Sequence, residues 1–196
     1  AAIVHMTHVT AAQLGATVVG GPLYGAPLVF AGRAPAPVTE DDRLARVDRV
    51  VRGLQQAGRY AHDKGIRLAV EPLNRFESDM INLVEQAVSL VRDVDSPAYK
   101  IHIDTFHANI EEKSIPDAIR KLGKGMLCHF HACENDRGAP GSGLVDWDGL
   151  TRGLRDINYT GDLVIESFTP ECQAIAAAAA IWRPLAATQD DLAREG

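Results

Sequence analysis

Five short apolar runs recur along the chain, and amphipathic stretches with helical spacing lie between them. The runs are "ATVVGGP" (16–22), "IRLAVEPL" (66–73), "YKIHIDTF" (99–106), "MLCHFHAC" (126–133) and "DLVIESF" (162–168), and each reads as a strand. The intervening segments carry helix punctuation. Thr39 with Asp42 resembles a capping box ahead of a long helix, and Gly65 suits its C-cap. Asn82 opens "LVEQAVSLVRDV", Ser114 with Pro116 just inside opens "IPDAIRKLG", and Asp146 opens "WDGLTRGLRDI". The run "AIAAAAAIW" (174–182) reads as a helix of small residues.

Strand and helix in alternation predict right-handed βαβ units and a parallel sheet. Two architectures fit: an open doubly wound sheet, or a TIM (β/α)8 barrel, which typically needs ~250 residues. No G-x-G-x-x-G marks a strand-to-helix turn, and "GGPLYG" leads into a Pro-rich loop rather than a helix. The loop 22–39, rich in Gly and Pro, is expected to cover a site rather than join domains. Residues 1–196 therefore read as a single domain. The chemistry described next favours the barrel, here an incomplete one holding the last five βα units, the C-terminal five-eighths.

Composition narrows the class of partner. The 196 residues are 46% apolar and 23% charged, enough for one sizeable core. A net charge of −6 with no Lys/Arg block argues against nucleic acid and against an anionic membrane surface. No apolar run approaches the ~20 residues of a membrane span, and no signal-peptide pattern opens the chain. Cys128, Cys133 and Cys172 form no C-x-x-C pair, and their odd number fits a reducing cytoplasm. Cys133 reads as a small buried hydrophobe in preference to a reactive thiol or metal ligand. Both termini read as cut, since the chain starts on Ala1 in a helix-like pattern and stops just past the helix start "TQDDLAREG". That expectation makes it a fragment or a truncated gene product.

Ligand-type side chains crowd the C-terminal ends of four successive strands: Glu71; Asp104 and His107; His131 with Glu134 and Arg137; and Glu166. Strand alternation puts Glu71 on the face of Ala69, Asp104 with His102, His131 with His129, and Glu166 with Val164. Val70, Ile103, Phe130 and Ile165 then point toward the helices, and the polar set converges in a barrel mouth. Three carboxylates and an imidazole brought together would repel unless a cation joined them. Two Glu, one Asp and one neutral His suit Mn2+ or Mg2+, with Co2+ tolerated, better than a structural zinc. Taken singly, a strand-end carboxylate is usually a helix cap or a solvated rim residue, His102 a satisfied interior residue or a group supporting a ligand from behind, and Arg137 a loop ion pair. Of His129 and His131, one is expected to be a ligand and the other a core residue.

"EPLNRFE", "IDTFHANIEE", "HFHACENDRGAPGSGLVDW" and "VIESF" resemble the ketose 3-epimerases, within the sugar phosphate isomerase/epimerase group that has a xylose isomerase-like TIM barrel. The likeness runs from about residue 5 to the C-terminus, and "GGPLY" fits the group's strand-4 signature. The resemblance implies that strands 1–3 lie outside this chain and that its final helix is clipped. It implies Glu71, Asp104, His131 and Glu166 as metal ligands, with Mn2+ the favoured ion and Mg2+ or Co2+ accepted. Glu71 and Glu166 would also be the acid/base pair, and Glu77, His107 and Arg137 would hold the substrate's carbonyl end. Cys133 stands where the group often has Gly, and Leu144 where a polar residue is common; both bear on sugar specificity.

The expected reaction is epimerisation of a ketose at C3 through an enediolate, with two carboxylates moving the proton. Tyr24 either covers the sugar or packs on the rim. The expected partner is a small sugar, with no nucleic acid and no membrane, and a homo-oligomer is left open. The alternatives are an aldose–ketose isomerase resembling hydroxypyruvate or inosose isomerases, and an inactive fragment. A multi-zinc nuclease on the same barrel would want more strand-end histidines and a basic face.

Overall fold

The computed structural model describes residues 10–25 and 39–196. The helix-like pattern expected at the very start of the chain and most of the 22–39 loop fall outside these residues. Five parallel strands lie in chain order, forming a half-barrel: β1 (Val18–Gly21), β2 (Arg67–Val70), β3 (Tyr99–Asp104), β4 (Leu127–Ala132) and β5 (Val164–Ile165). Between them run α1 (Glu40–Asp63), α2 (Val84–Val94), α3 (Thr105–Glu111), α4 (Ile115–Leu122) and α5 (Trp147–Asp156); α6 (Gln173–Ala178) and α7 (Gln189–Glu195) follow β5.

The local signals act through specific hydrogen bonds. The Asp42 backbone N–H donates to Thr39 Oγ1 at 3.1 Å, and those of Asp117 and Gly149 donate to Ser114 Oγ and Asp146 Oδ1, each occupying a helix-start donor that would otherwise be unpaired. Gly65 sits one residue beyond the C-cap Lys64, with φ +68°. Asn82 is the exception. Helix α2 is capped at Leu83, and the Gln86 side chain accepts from the N–H groups of Asn82 and Leu83. The Asn82 amide instead donates to Leu73 O and Ser78 O, bracing the loop after β2. The small-residue helix is shorter than expected, because Ala180 turns left-handed (φ +54°) and Ile181 N–H closes back on Ala176 O.

Period-two alternation sorts the strand side chains into two faces, and in β2 and β3 both faces are buried. Leu68, Val70, Ile101, Ile103 and Phe130 join one core with Leu54, Ala61, Leu90, Val91, Ile119, Leu122 and Leu150 from the helices. Helix α1 comes close at Gly58, where a Cβ would lie 2.8 Å from Tyr99 Cε2, and Tyr99 Oη donates to Leu54 O. Ile165 departs from the expectation: it is 39% exposed, since among the described residues β5 lies at the edge of the sheet and pairs with β4 alone. One irregularity positions the site. The β3–β4 register shifts between Ile101 and His102, skipping Cys128, so that His102 lies beside His129 and Asp104 beside His131.

Candidate active site

Glu71 directly follows β2, Asp104 ends β3, His131 lies near the end of β4, and Glu166 directly follows β5. Each offers one ligand atom within 4.8 Å of the others. Asp104 is also the N-cap of α3, accepting from His107 N–H at 3.1 Å. The cap reading of that carboxylate therefore holds, and its Oδ2 still faces the other three side chains of the group.

Charge compensation comes from Arg137. Its Nη1 donates to Asp104 Oδ2 at 2.6 Å and to Glu166 Oε2 at 2.7 Å, while its guanidinium packs over the Phe106 ring at 4.4 Å. Burial would raise the Asp104 carboxyl, but Arg137 overrides it and holds the group well below the usual range. Glu71 is different. Burial, with Asp104 and Glu166 nearby, lifts its carboxyl well above the ordinary value. His131 Nδ1 lies 3.0 Å from Glu166 Oε2 and 3.6 Å from Asp104 Oδ2. Burial opposes its charge, yet these two carboxylates raise it to about 9.

The residues expected to hold substrate gather around the same centre. His107 Nε2 is 3.0 Å from Arg137 Nη2 and 4.0 Å from Glu71 Oε1, and Asn74 N–H donates to its Nδ1 at 3.2 Å. Burial chiefly pushes the His107 imidazole down to about 4. Glu77 accepts from Asn74 Nδ2 at 3.0 Å, and burial raises its carboxyl. A cavity of about 600 Å3, lined by Glu71, Glu77, His107, Arg137, Glu166 and Phe168 among others, opens over the group. That lies within the roughly 300–1,000 Å3 of small-molecule sites. Tyr24 also lines it, but its hydroxyl donates to Ile81 O and accepts from Leu73 N–H, a residue packed into the rim.

The structure reassigns some residues of the sequence reading and adds one that it missed. Glu134, grouped there with the strand-end ligands, is fully buried and turned away from them. It accepts from Trp147 Nε1 at 2.6 Å, Gly141 N–H at 2.8 Å and Val145 N–H at 3.1 Å, folding the loop 134–146 onto itself. That loop presents Arg137, whose backbone is left-handed at φ +68°. Asn74, 1% exposed, stands inside the "EPLNRFE" motif and bonds both His107 and Glu77; an amide two residues past a strand-end Pro was the available signal. Cys133 is buried as expected, and burial carries its thiol up to about 12, leaving it protonated. His102 is interior but not satisfied, since neither ring nitrogen has a hydrogen-bond partner among the described residues; its Nδ1 lies 3.5 Å from Glu71 Oε2, the position expected of a group behind the candidate ligands.

The donor set fits a hard divalent cation. Three carboxylates and one imidazole converge, and the guanidinium already lying against two of the carboxylates marks the demand for positive charge there. Among the described residues no helix is long and apolar enough to cross a membrane.

Comparison with known proteins agrees with this arrangement. The family model described as "Xylose isomerase-like TIM barrel" matches residues 2–190. A D-psicose 3-epimerase of Agrobacterium fabrum is 40% identical over 149 residues, 76% of this chain and 51% of that protein. A ketose 3-epimerase of Arthrobacter globiformis is 34% identical over 183 residues, 92% of this chain and 60% of that protein. A crystal structure of D-psicose 3-epimerase in the presence of D-fructose superposes with a TM-score of 0.88 at 35% identity, covering 99% of this chain and 65% of the other. The chain thus spans about half the length of the first of these relatives. With the half-barrel, the strand-end cluster and the matched span in accord, the chain belongs to the xylose isomerase-like TIM barrel family.

Proposed function

We propose that the protein is a metal-dependent ketose 3-epimerase that works through an enediolate. One observation carries this reading: ligand atoms of Glu71, Asp104, His131 and Glu166 lie within 4.8 Å of one another beneath a cavity of small-molecule size. The names of the epimerases similar to this chain support the sugar and the reaction class. Glu71, Asp104, His131 and Glu166 would hold the ion, with Mn2+ favoured for a set of three oxygen donors and one nitrogen, and Mg2+ or Co2+ as substitutes. When bound, it supplies polarisation of a ketone oxygen and an offset for developing negative charge.

The chain's own groups do the rest. Inversion at a carbon beside a ketone needs one group to remove the proton and another to return it on the opposite face. Glu71 and Glu166 come from strands separated by two others, so they approach a bound sugar from different directions. The raised affinity of Glu71 for a proton suits it to take one from the substrate. Neutral His107 and the Arg137 guanidinium orient the oxygens at the ketone end, and Glu77 takes a hydroxyl. The reading includes a reducing, cytoplasmic setting, supported by three free thiols.

Incubating the Mn2+-loaded protein with several ketoses in D2O tests the proposal by NMR. The expected product is the C3 epimer carrying deuterium at C3. An aldose labelled at C2 would indicate the isomerase alternative, and an unlabelled C3 epimer would rule out proton transfer with solvent-exchangeable carboxylates.

A further inference from the structure

A second group of metal-type ligands lies beside the first and differs from it in chemistry. His102, His129 and His131 each place one ring nitrogen within 4.8 Å of the others. The rings pack edge to face, with centroids 4.2 Å apart for His102–His131, 4.7 Å for His102–His129 and 4.8 Å for His129–His131. Nothing about the fold demands three imidazoles here. The β3–β4 register shift brings them side by side, and Gly20 makes room, since a Cβ there would stand 3.3 Å from His102 Nδ1.

His102 is the telling residue. It is 1% exposed, and both ring nitrogens lack a hydrogen-bond partner among the described residues. Glu71 Oε2 lies 3.5 Å from its Nδ1 but outside hydrogen-bonding orientation. Leaving a buried polar group unpaired is costly, so an orphaned imidazole calls for a ligand. His131 faces both ways: its Nδ1 lies against Glu166, and its Nε2 lies 3.0 Å from His129 Nε2. Two imidazole nitrogens bound to one ion at ~2.0–2.1 Å stand roughly 3 Å apart, which matches that separation.

We propose that His102, His129 and His131 form a second cation site, selective for Zn2+ or Cu2+, that shares His131 with the carboxylate group. Three uncharged nitrogen donors favour borderline cations over Mn2+ and Mg2+, whereas the neighbouring oxygens favour the reverse. With Zn2+ on Nε2 of His131 the ring's remaining proton sits on Nδ1, so the carboxylate site can use His131 at the same time only if that proton leaves to solvent; Glu71, Asp104 and Glu166 are untouched. The inference needs no assumption about the reaction catalysed.

Cu2+ electron paramagnetic resonance at one equivalent gives a direct reading, because nitrogen splitting counts the imidazoles bound. The wild-type chain is expected to show three nitrogens, and His102→Gln and His129→Gln fewer. Calorimetry should show Zn2+ affinity falling by about tenfold or more in either variant, while Mn2+ affinity changes far less. His129 is only partly buried, so His129→Gln tests the site even if His102→Gln fails to fold. A single-nitrogen Cu2+ spectrum unaffected by either substitution would overturn the proposal. So would equal losses of Mn2+ and Zn2+ affinity, which would reduce the extra histidines to supports for the carboxylate site.

Discussion

Arg137 Nη1 lies 2.6 Å from Asp104 Oδ2, an ion pair in which the guanidinium is 6% and the carboxylate 0% exposed. The same nitrogen reaches Glu166 Oε2 at 2.7 Å, so one buried cation balances two candidate metal ligands. Removing one partner of such a pair strands the other without compensation, at a cost of about 3–5 kcal/mol. Arg137→Ala should therefore melt much earlier than the parent chain in EDTA, and Mn2+ should restore most of the difference. Thermal denaturation with and without the metal checks this, and an equal loss in both conditions would show that the two cations do not serve the same carboxylates.

Glu71 carries the clearest catalytic prediction. Its carboxyl is buried and raised, whereas Asp104 is held ionised by Arg137. Glu71→Gln preserves the shape while removing the proposed base, and should lower kcat by about 100-fold or more with the circular dichroism unchanged. Full turnover in that variant would eliminate the two-carboxylate mechanism.

Metal binding should be linked to pH through His131. Its value of about 9 stands above the ~6.5 of an unfolded imidazole. The stability contributed by its protonated ring is thus complete below about 6.5 and lost as pH rises through about 9. A metal takes the neutral ring, so Mn2+ binding at pH 7 should release the proton of His131, and any proton held by the raised Glu71 carboxyl adds to it. Calorimetry in buffers of different ionisation enthalpy measures the number released. Zero protons released would mean that His131 does not ligate the ion, or binds it already neutral.

His107 predicts the opposite slope. Its folded value of about 4 lies below the unfolded one, so the stability tied to its neutral form is complete above about 6.5 and lost as pH falls toward 4. The largest slope a single group allows is about 1.4 kcal/mol per pH unit. Urea unfolding between pH 7 and 4.5 should show this loss, and His107→Asn should flatten part of it. An identical pH profile in the variant would assign the acid sensitivity elsewhere.

Much of the architecture could be read along the chain. Period-two alternation separated Val70, Ile103 and Phe130 from Ala69, His102 and His129, because a strand must turn successive side chains to opposite faces. Thr39, Ser114, Asp146 and Thr188 marked helix starts because a short oxygen-bearing side chain satisfies backbone donors within three residues. The strand-end positions of Glu71, Asp104, His131 and Glu166 follow from the same local rules. Asn82 and Ile165 departed from them for non-local reasons: one is claimed by the loop carbonyls of Leu73 and Ser78, and the other belongs to a strand that, among the described residues, has a neighbour on one side only.

Distance in the chain marks the division. The sequence by itself determined which segments are strands and helices, and which face of each strand is polar, since those depend on neighbours a few residues away. Only the tertiary structure decided that Arg137 rests on Asp104 and Glu166, that Glu134 ties its own loop, and that a one-residue shift sets His102 against His129. Each of those outcomes depends on how backbone from separate elements meets, and on side chains competing for buried partners once water is gone.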